Sequence, residues 1–341
     1  MHIILDAMGG DRAPLEVLRG AVLAKEACGV SLTLVGHTEI LRRTAEENGL
    51  SLDGLRLEHA ESVVTMEDDP FSVVRAKKDS SMAVALRLLQ KEGDALVSAG
   101  STGALHVGSA LLIRTIPGVH RSAIATLLPL SRPMLFLDSG ANPTVTAEYL
   151  LQWAAMGSVY MKNVFGVAAP SVGLLNNGAE PHKGTPVAVE AHRLLAASRE
   201  LNFIGNVEGN QLIEAPCDVL VSDGFTGNVA LKLYEGMGKY LLTAMAQACA
   251  QNPALAPSLG AIRETLGALR GRFDASEHGG APLLGLTRPV VKAHGSSDAR
   301  AIASAVRQAV SFASTGVIGE IADFVRAHED GGETGEGTHE S

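Results

Sequence analysis

Asp94-Ala-Leu-Val-Ser98-Ala-Gly-Ser-Thr-Gly103 decides how the rest of the chain is read. A short apolar run without polar alternation stops at a cluster of Ser, Gly and Thr, and a helical pattern follows. The arrangement recurs. His2-Ile-Ile-Leu enters Asp6-Ala-Met-Gly-Gly-Asp11, Ser31-Leu-Thr-Leu-Val enters Gly36-His37-Thr38, and Pro133-Met-Leu-Phe-Leu enters Asp138-Ser-Gly-Ala-Asn142. Further on, Val172-Gly-Leu-Leu enters Asn176-Asn-Gly178 and Phe203-Ile enters Gly205-Asn-Val-Glu-Gly209. Asp218-Val-Leu-Val then enters Ser222-Asp-Gly-Phe-Thr-Gly-Asn228, and Pro289-Val-Val-Lys enters Ala293-His-Gly-Ser296. Unalternating apolar runs separated by helices predict an α/β fold, a mostly parallel sheet with helices on both faces. Ligands of such sheets bind outside the carboxyl ends of the strands. The polar turns, each following a strand, are therefore expected to gather on one edge.

The 341 residues leave room for one large domain or two, at roughly 100–200 residues each. Hydrophobic residues are 46% and charged residues 19%, enough to bury a large core and to exclude global disorder. Aromatics are only 4%, so Ala, Val, Leu and Ile must build that core. The net charge is −9, and the tail from His328 to Ser341 holds five acids and no Lys or Arg. No basic excess advertises a nucleic-acid partner. Cys28, Cys217 and Cys249 show no paired spacing, which reads as a reducing, cytoplasmic setting without disulfides or a zinc knuckle. Asp6 interrupts the N-terminus too early for a signal peptide. The uncharged stretches Ala95 to Ile113 and Leu241 to Ile262 carry too many polar, Gly or Pro residues to read as spanning helices.

Pro14 suits the first turn of a helix with Leu15, Leu18 and Val22 on one face, and Thr146-Ala-Glu148 opens another through Tyr149, Trp153 and Met156. One α/β domain is expected over 1–327. An inserted helical hairpin is expected at about 236–280, with Ile262, Leu266, Leu269 and Phe273 on one stripe flanked by Arg263, Arg270 and Arg272. The acidic, Gly-rich 328–341 reads as a disordered tail.

Several motifs are missing: the dinucleotide fingerprint, the ordinary P-loop, the nucleophile elbow and any paired-ligand metal motif. What is present suits a small anion. Ser98, Gly100, Ser101, Thr102 and Gly103 sit at a strand-to-helix junction, offering hydroxyls, open main-chain N–H groups and the positive end of a helix. The plainer reading is a turn that needs glycines, with Ser and Thr as caps. Asp223-Gly-Phe-Thr-Gly-Asn228 repeats the design with Asn228 as a candidate N-cap, and His294-Gly-Ser296-Ser297 is a weaker third case. Lys183, between a strand end and a helix, is either a solvated surface charge or the cation that neutralises a bound phosphate. Asp6, Asp11 and Asp138 fall where capping alone would explain them. Asn142 and Asn206 are candidate donors to a developing oxyanion.

Together these strings are specific. Asp6-Ala-Met-Gly9-Gly10-Asp11-x-Ala-Pro14, Lys77-Lys-Asp-Ser-Ser-Met82, Ser98-Ala-Gly-x-Thr-Gly-Ala104 and Asp138-x-Gly-Ala-Asn142 come first. Leu174-Leu-Asn-x-Gly178, Lys183-Gly184, Gly205-Asn-Val-Glu-Gly209, Asp223-Gly-Phe-x-Gly-Asn228, Gly279-Gly-Ala-Pro-Leu-Leu-Gly285 and His294-Gly-Ser-Ser297 follow. In this order, over about 1–315, they resemble the PlsX family of bacterial phosphate acyltransferases of phospholipid synthesis. Ser101 stands where that family usually shows Asn, and the segment from Asn177 to His182 is less acidic than usual.

The resemblance implies a fold similar to the isocitrate and isopropylmalate dehydrogenases and to phosphotransacetylase, and a homodimer. It implies transfer of a long acyl group from acyl carrier protein to inorganic phosphate, with no cofactor and no metal. The acyl phosphate would pass to a membrane glycerol-3-phosphate acyltransferase. Lys183, Asn228, Asn206 and His294 are the catalytic candidates. Ser98, Gly100, Ser101, Thr102, Gly103 and Ser296 are candidates for phosphate binding, and Asp6, Gly9, Gly10, Asp11, Asp138, Asn142 and Asp223 for shaping the pocket. The hairpin stripe is a candidate surface for carrier protein, a peripheral membrane contact or the dimer mate. The alternatives are a short-chain phosphotransacetylase using acyl-coenzyme A and a metal-dependent dehydrogenase on the related fold.

Overall fold

The parallel runs divide between two sheets in the structure, a computed structural model that describes residues 1–252, 258, 260–262, 264–267 and 279–332. The first sheet is built from β1 (His2–Asp6), β2 (Ser31–Gly36), β3 (Leu55–His59), β4 (Ala95–Ser98), β5 (Ala123–Ile124), β11 (Ala281–Leu284) and β12 (Val290–Lys292), ordered 3-2-1-4-12-11-5. Strands 3, 2, 1, 4 and 12 are parallel; β11 and β5 add antiparallel at one edge. The second sheet, ordered 6-7-10-8-9, holds β6 (Thr126–Pro129), β7 (Pro133–Leu137), β8 (Ser171–Asn176), β9 (Asn202–Glu208) and β10 (Val219–Val221), with only β6 antiparallel. The expected fold class holds, with one sheet resolved into two. Strand runs identify parallel strands without saying which of them pair.

Helices cover both faces, which is why the central strands are mostly apolar. On one face of the first sheet, Ile3, Leu5, Leu34, Val97 and Val291 pack against α1 (Leu15–Cys28) and α8 (Ala299–Ser314). On the other, Ile4, Leu96 and Val290 meet α3 (Ser81–Lys91) and α4 (Thr102–Gly108). In the second sheet Leu135, Leu137, Val172 and Val219 pack on Trp153 and Tyr160 of α5 (Ala147–Phe165), Leu195 of α6 (Pro186–Ala197) and Ile321 of α9 (Val317–Gly332). Phe136 and Leu220 face Leu231 and Tyr234 of α7 (Gly224–Gln251). α2 (Thr38–Glu47) completes the first layer. Among the described residues no single helix is long and apolar enough to cross a membrane.

Two helices run across boundaries expected from the sequence. Helix α7 starts at Gly224, capped by Asp223, and runs unbroken past residue 236, so the hairpin's first arm is the outer part of a core helix rather than an insertion. Of the stripe, Leu266 is half-buried within 260–267, whereas Arg263, Leu269, Arg270 and Arg272 lie outside the described residues. Helix α9 continues through Gly332, past the tail boundary expected at His328.

The chain passes from one sheet to the other between Ile124 and Thr126, and Asp138 holds that seam. Its buried carboxylate accepts from Ile124 N (3.1 Å), Gly140 N (3.2 Å), Ala141 N (3.1 Å), Asn142 N (2.6 Å) and Asn142 Nδ2 (2.8 Å). Ser139 N donates to Ile124 O at 3.0 Å. Removing the carboxylate would strand several buried donors at once, each costing about 1–3 kcal/mol. Asp138→Ala is therefore expected to lose about 3 kcal/mol or more in urea unfolding, and a midpoint near that of the wild type would show the seam to be held elsewhere.

Candidate active site

The carboxyl ends of β1, β4 and β12 are neighbours, so their turns interlock. Asp11 N donates to Gly295 O at 2.8 Å and Ala293 N to Ser98 O at 2.9 Å. Gly9 lies so close to Gly100 that a Cβ on it would sit 2.7 Å from Gly100 N and 2.7 Å from the Asp6 carboxylate. That approach requires glycine. Beneath the turns Ser98 Oγ donates to Asp6 at 2.7 Å and accepts from Gly100 N at 3.1 Å. Burial pushes the Asp6 carboxyl above the usual carboxylate range.

Across the seam a second pair of turns meets. Gly224 N donates to Asn142 O at 2.8 Å, and a Cβ on Gly140 would sit 2.6 Å from Asn228 Nδ2. Between the two groups of turns lies a cavity of about 240 Å³. Its walls include Thr102 and Gly103 from one side, Ser139, Gly140 and Asn228 from the other, and Lys292 with His294 from the end of β12. Ile124, Leu231 and Ala281 supply apolar surface.

The wall is rich in donors. His294 Nδ1 accepts from Ser296 N at 3.2 Å and lies 2.8 Å from Ser296 Oγ. An N–H can only donate, so a neutral His294 carries its proton on Nε2. Thr102 opens α4, whose cap is Ser101, with Ser101 Oγ accepting from Ala104 N at 3.5 Å. No cysteine lines the cavity, and burial in the core pushes the Cys217 thiol up to about 12.

The expected site residues thus fall into three groups. Thr102, Gly103, Asn228 and His294 line the cavity. Asp6, Gly9, Gly10, Asp11, Ser98, Gly100, Ser101, Asp138, Asn142 and Ser296 build the turns around it. The Ser98 hydroxyl and the Asn142 amide are already committed, the latter to Asp138 and to Ser122 O at 2.9 Å. Asn228 is not the helix cap: the Asp223 carboxylate takes that place, accepting from Thr226 N at 2.8 Å, and Asn228 sits a turn further on.

Lys183 and Asn206 are not in the cavity wall. Lys183 is exposed on the loop after β8, its carbonyl held by Asn176 Nδ2 at 3.0 Å. Asn206 Nδ2 donates to Glu180 O at 2.9 Å and its Oδ1 lies 2.9 Å from His192 Nδ1, so its amide positions that loop instead of facing an oxyanion.

The model for the family described as fatty acid synthesis protein matches residues 1–320. A phosphate acyltransferase from Thermoanaerobacter pseudethanolicus is 41% identical over 335 residues, 97% of this chain and 99% of its own length. The chain belongs to the phosphate acyltransferase family of fatty acid and phospholipid synthesis. Among solved structures, a phosphotransacetylase from Streptococcus pyogenes shares the fold, with a TM-score of 0.65 at 18% identity over 92% of this chain and 94% of that one. A chain described as a 4-hydroxythreonine-4-phosphate dehydrogenase from Salmonella typhimurium follows, with a TM-score of 0.50 at 14% identity over 91% of this chain and 98% of that one. Both likenesses concern the fold alone, and they agree with the dehydrogenase-like and phosphotransacetylase-like architecture expected.

For an acyltransferase of this family, reading the turns misses several cavity residues. Ser139, Gly140, Thr126, Leu231, Lys232 and Glu235 also line the cavity. So does Lys292, for which a signal existed. In Pro289-Val-Val-Lys292 a charged residue closes a run that is otherwise fully buried, at the carboxyl end where ligands bind.

Proposed function

We propose that this phosphate acyltransferase moves a long acyl group from the thioester of acyl carrier protein to inorganic phosphate by direct attack. The observation that carries the reading is the convergence of Thr102, Asn228, Lys292 and His294 on one small cavity at the seam. Phosphate at neutral pH is already an anionic nucleophile, and a thiol with a free pKa near 8.5 leaves without strong acid assistance. Positioning and charge stabilisation are what the site must supply.

A phosphate oxygen forms a bond to the thioester carbonyl carbon, and the carbonyl electrons move onto oxygen. In this reading the Asn228 amide and the His294 Nε2–H donate to that oxyanion. On collapse the carbon–sulfur bond breaks, the thiolate leaves and receives, through solvent, the proton that hydrogen phosphate gives up, and acyl phosphate remains. The cavity is smaller than the ~300–1,000 Å³ of common small-molecule pockets. Its size suits the reacting atoms, and a long chain would extend beyond it past Leu231.

Direct attack has a specific signature. Acid quenching during turnover with radiolabelled acyl carrier protein should leave no label on the denatured enzyme, while hydroxylamine converts the product to acyl hydroxamate. Stoichiometric label on the chain would replace this mechanism with a two-step one. A short acyl-coenzyme A that outperforms the carrier-linked long chain would favour the phosphotransacetylase alternative.

Lys183 enters the proposal as a second cation on the same sheet edge, brought over the phosphate when donor binds. Asn228→Ala should lower kcat by about 10²-fold, the usual worth of one oxyanion donor. Lys183→Ala should lose at least about tenfold with an unchanged melting temperature. Normal turnover in Lys183→Ala would remove that residue from the mechanism.

The partner proposed for the outer face of α7 is a second copy. Phe225, Val229, Leu233, Met237, Tyr240, Leu241 and Met245 form an apolar stripe, with Phe225, Leu233 and Tyr240 more than 60% exposed. A stripe on one helix can meet itself across a two-fold axis. The protein should sediment as a dimer and the Leu233→Asp, Tyr240→Asp double variant as a monomer; a monomeric wild type at assay concentration would refute the pairing.

A further inference from the structure

Two lysines line the cavity, and they differ in kind. Lys232, on α7, has 56% of its side chain exposed and pairs with Glu235 at 2.8 Å. It is an ordinary surface ion pair. Lys292 is the last residue of β12 and is only 8% exposed. Its ammonium donates to Ala99 O at 3.3 Å and to Ala293 O. Those two carbonyls belong to the turn after β4 and the turn after β12, the pair that forms one side of the cavity.

An ammonium has three N–H donors, and the two carbonyls account for two of them. They carry no net charge, and among the described residues no carboxylate is in salt-bridge contact with Lys292. A buried cation is costly when no anion faces it. The acids near enough to be felt are Asp6, at the end of β1, and Asp11, in the turn after it. Asp6 is held by Ser98, and the Asp11 carboxylate lies against Gly295. From α7 the Lys232 charge acts in the opposite sense, and among the described residues Glu235 and His294 complete the titratable groups on the cavity wall. Burial pushes Lys292 down to about 8, against the pull of Asp6 and Asp11.

Resting on the acyl-phosphate reading above, we infer that Lys292 is the cation that captures the phosphate, its remaining N–H completed by a phosphate oxygen. The anion supplies the countercharge that the fold withholds, and the two turns the ammonium ties together are thereby fixed around the nucleophile. The sign of the pH dependence follows. A lysine with a depressed pKa loses its charge as pH rises through about 8, and bound phosphate stabilises the protonated form. The KM for phosphate should be level below that point and climb by about tenfold per pH unit above it. The kcat at saturating phosphate should hold, because bound phosphate keeps the lysine charged. The second ionisation of phosphate itself is common to every variant and cancels in the comparison.

The test is the hydroxylamine-trapped assay on the full chain with acyl carrier protein as donor, phosphate being varied from about pH 6.5 to about pH 9.5. Lys292→Met should raise the phosphate KM roughly 10- to 100-fold at neutral pH, the worth of a hydrogen bond to a charged group, and abolish the break. Its KM for the acyl donor should stay within about threefold. Lys292→Arg keeps a charge that does not titrate, so its phosphate KM should stay level above pH 8, which a merely structural role would not produce.

A wild-type KM that is level throughout overturns the assignment, as does a break that survives in Lys292→Met or vanishes only in His294→Gln. Should Lys292→Met fail to fold, the wild-type protein still decides the matter. The upward shift in melting temperature caused by inorganic phosphate must fade above pH 8, and a shift that persists there refutes the role. If the wild type yields no acyl hydroxamate, the reaction reading fails, while the phosphate-dependent melting shift still judges Lys292 on its own.

Discussion

The Asp138 carboxylate is the constraint on which the rest of the structure hangs. Two sheets of parallel strands have no reason of their own to bring their carboxyl ends together. One acceptor group does it here, by taking N–H donors from Ile124 at the edge of the first sheet and from residues 140–142 at the end of β7. A carboxylate can take several donors, whereas a neutral acceptor of the same size would leave some of them bare. Once that turn is set, Gly140 lies against the Asn228 amide, and Asn142 O receives Gly224 N at the head of α7. The position of one wall of the cavity follows from a bond made at the seam.

The opposite wall is organised by charge held below the surface. Asp6 and Lys292 are both buried at the carboxyl ends of strands, where a fold seeking stability alone would place apolar side chains. Asp6 is held by Ser98 and nearby main-chain N–H groups, while Lys292 has two neutral carbonyls for its three N–H donors. No bond joins the two among the described residues, so the cation keeps an attraction for an anion arriving from outside. Costs of this kind are commonly retained at functional sites.

How much of this was legible in the sequence depends on how local each signal is. The parallel strands buried on both faces announced themselves, because such burial forbids polar alternation from Ile3 to Leu5 as much as from Val219 to Val221. β3, half-exposed with Arg56 and Glu58 in its run, did not, nor did β5, β6 and β11, which are short or antiparallel. That the turns meet was legible from strand polarity; that they meet across a seam between two sheets was not, since pairing is set by contacts far apart in sequence. Lys183 and Asn206 drew attention as polar residues in loops, yet their surroundings are fixed by Asn176, Glu180 and His192. Lys292 hid at the end of a strand, where its apolar neighbours disguise a charge as core.

Helix α7 links the chemistry to the outside of the molecule. Asn228, Leu231, Lys232 and Glu235 recur at helical spacing and face the cavity, while Phe225, Val229, Leu233 and Met237 recur every fourth residue on the exposed side. Asp223 fixes the first turn of α7, and Gly227 lets it pass so close to the Asp138 carbonyl that no side chain would fit. Beyond Tyr234 the helix runs outward with a mostly exposed surface. The face that carries Asn228 and the apolar face turned to solvent therefore share one helix, and the anchoring of its first turn at the seam fixes where both of them lie.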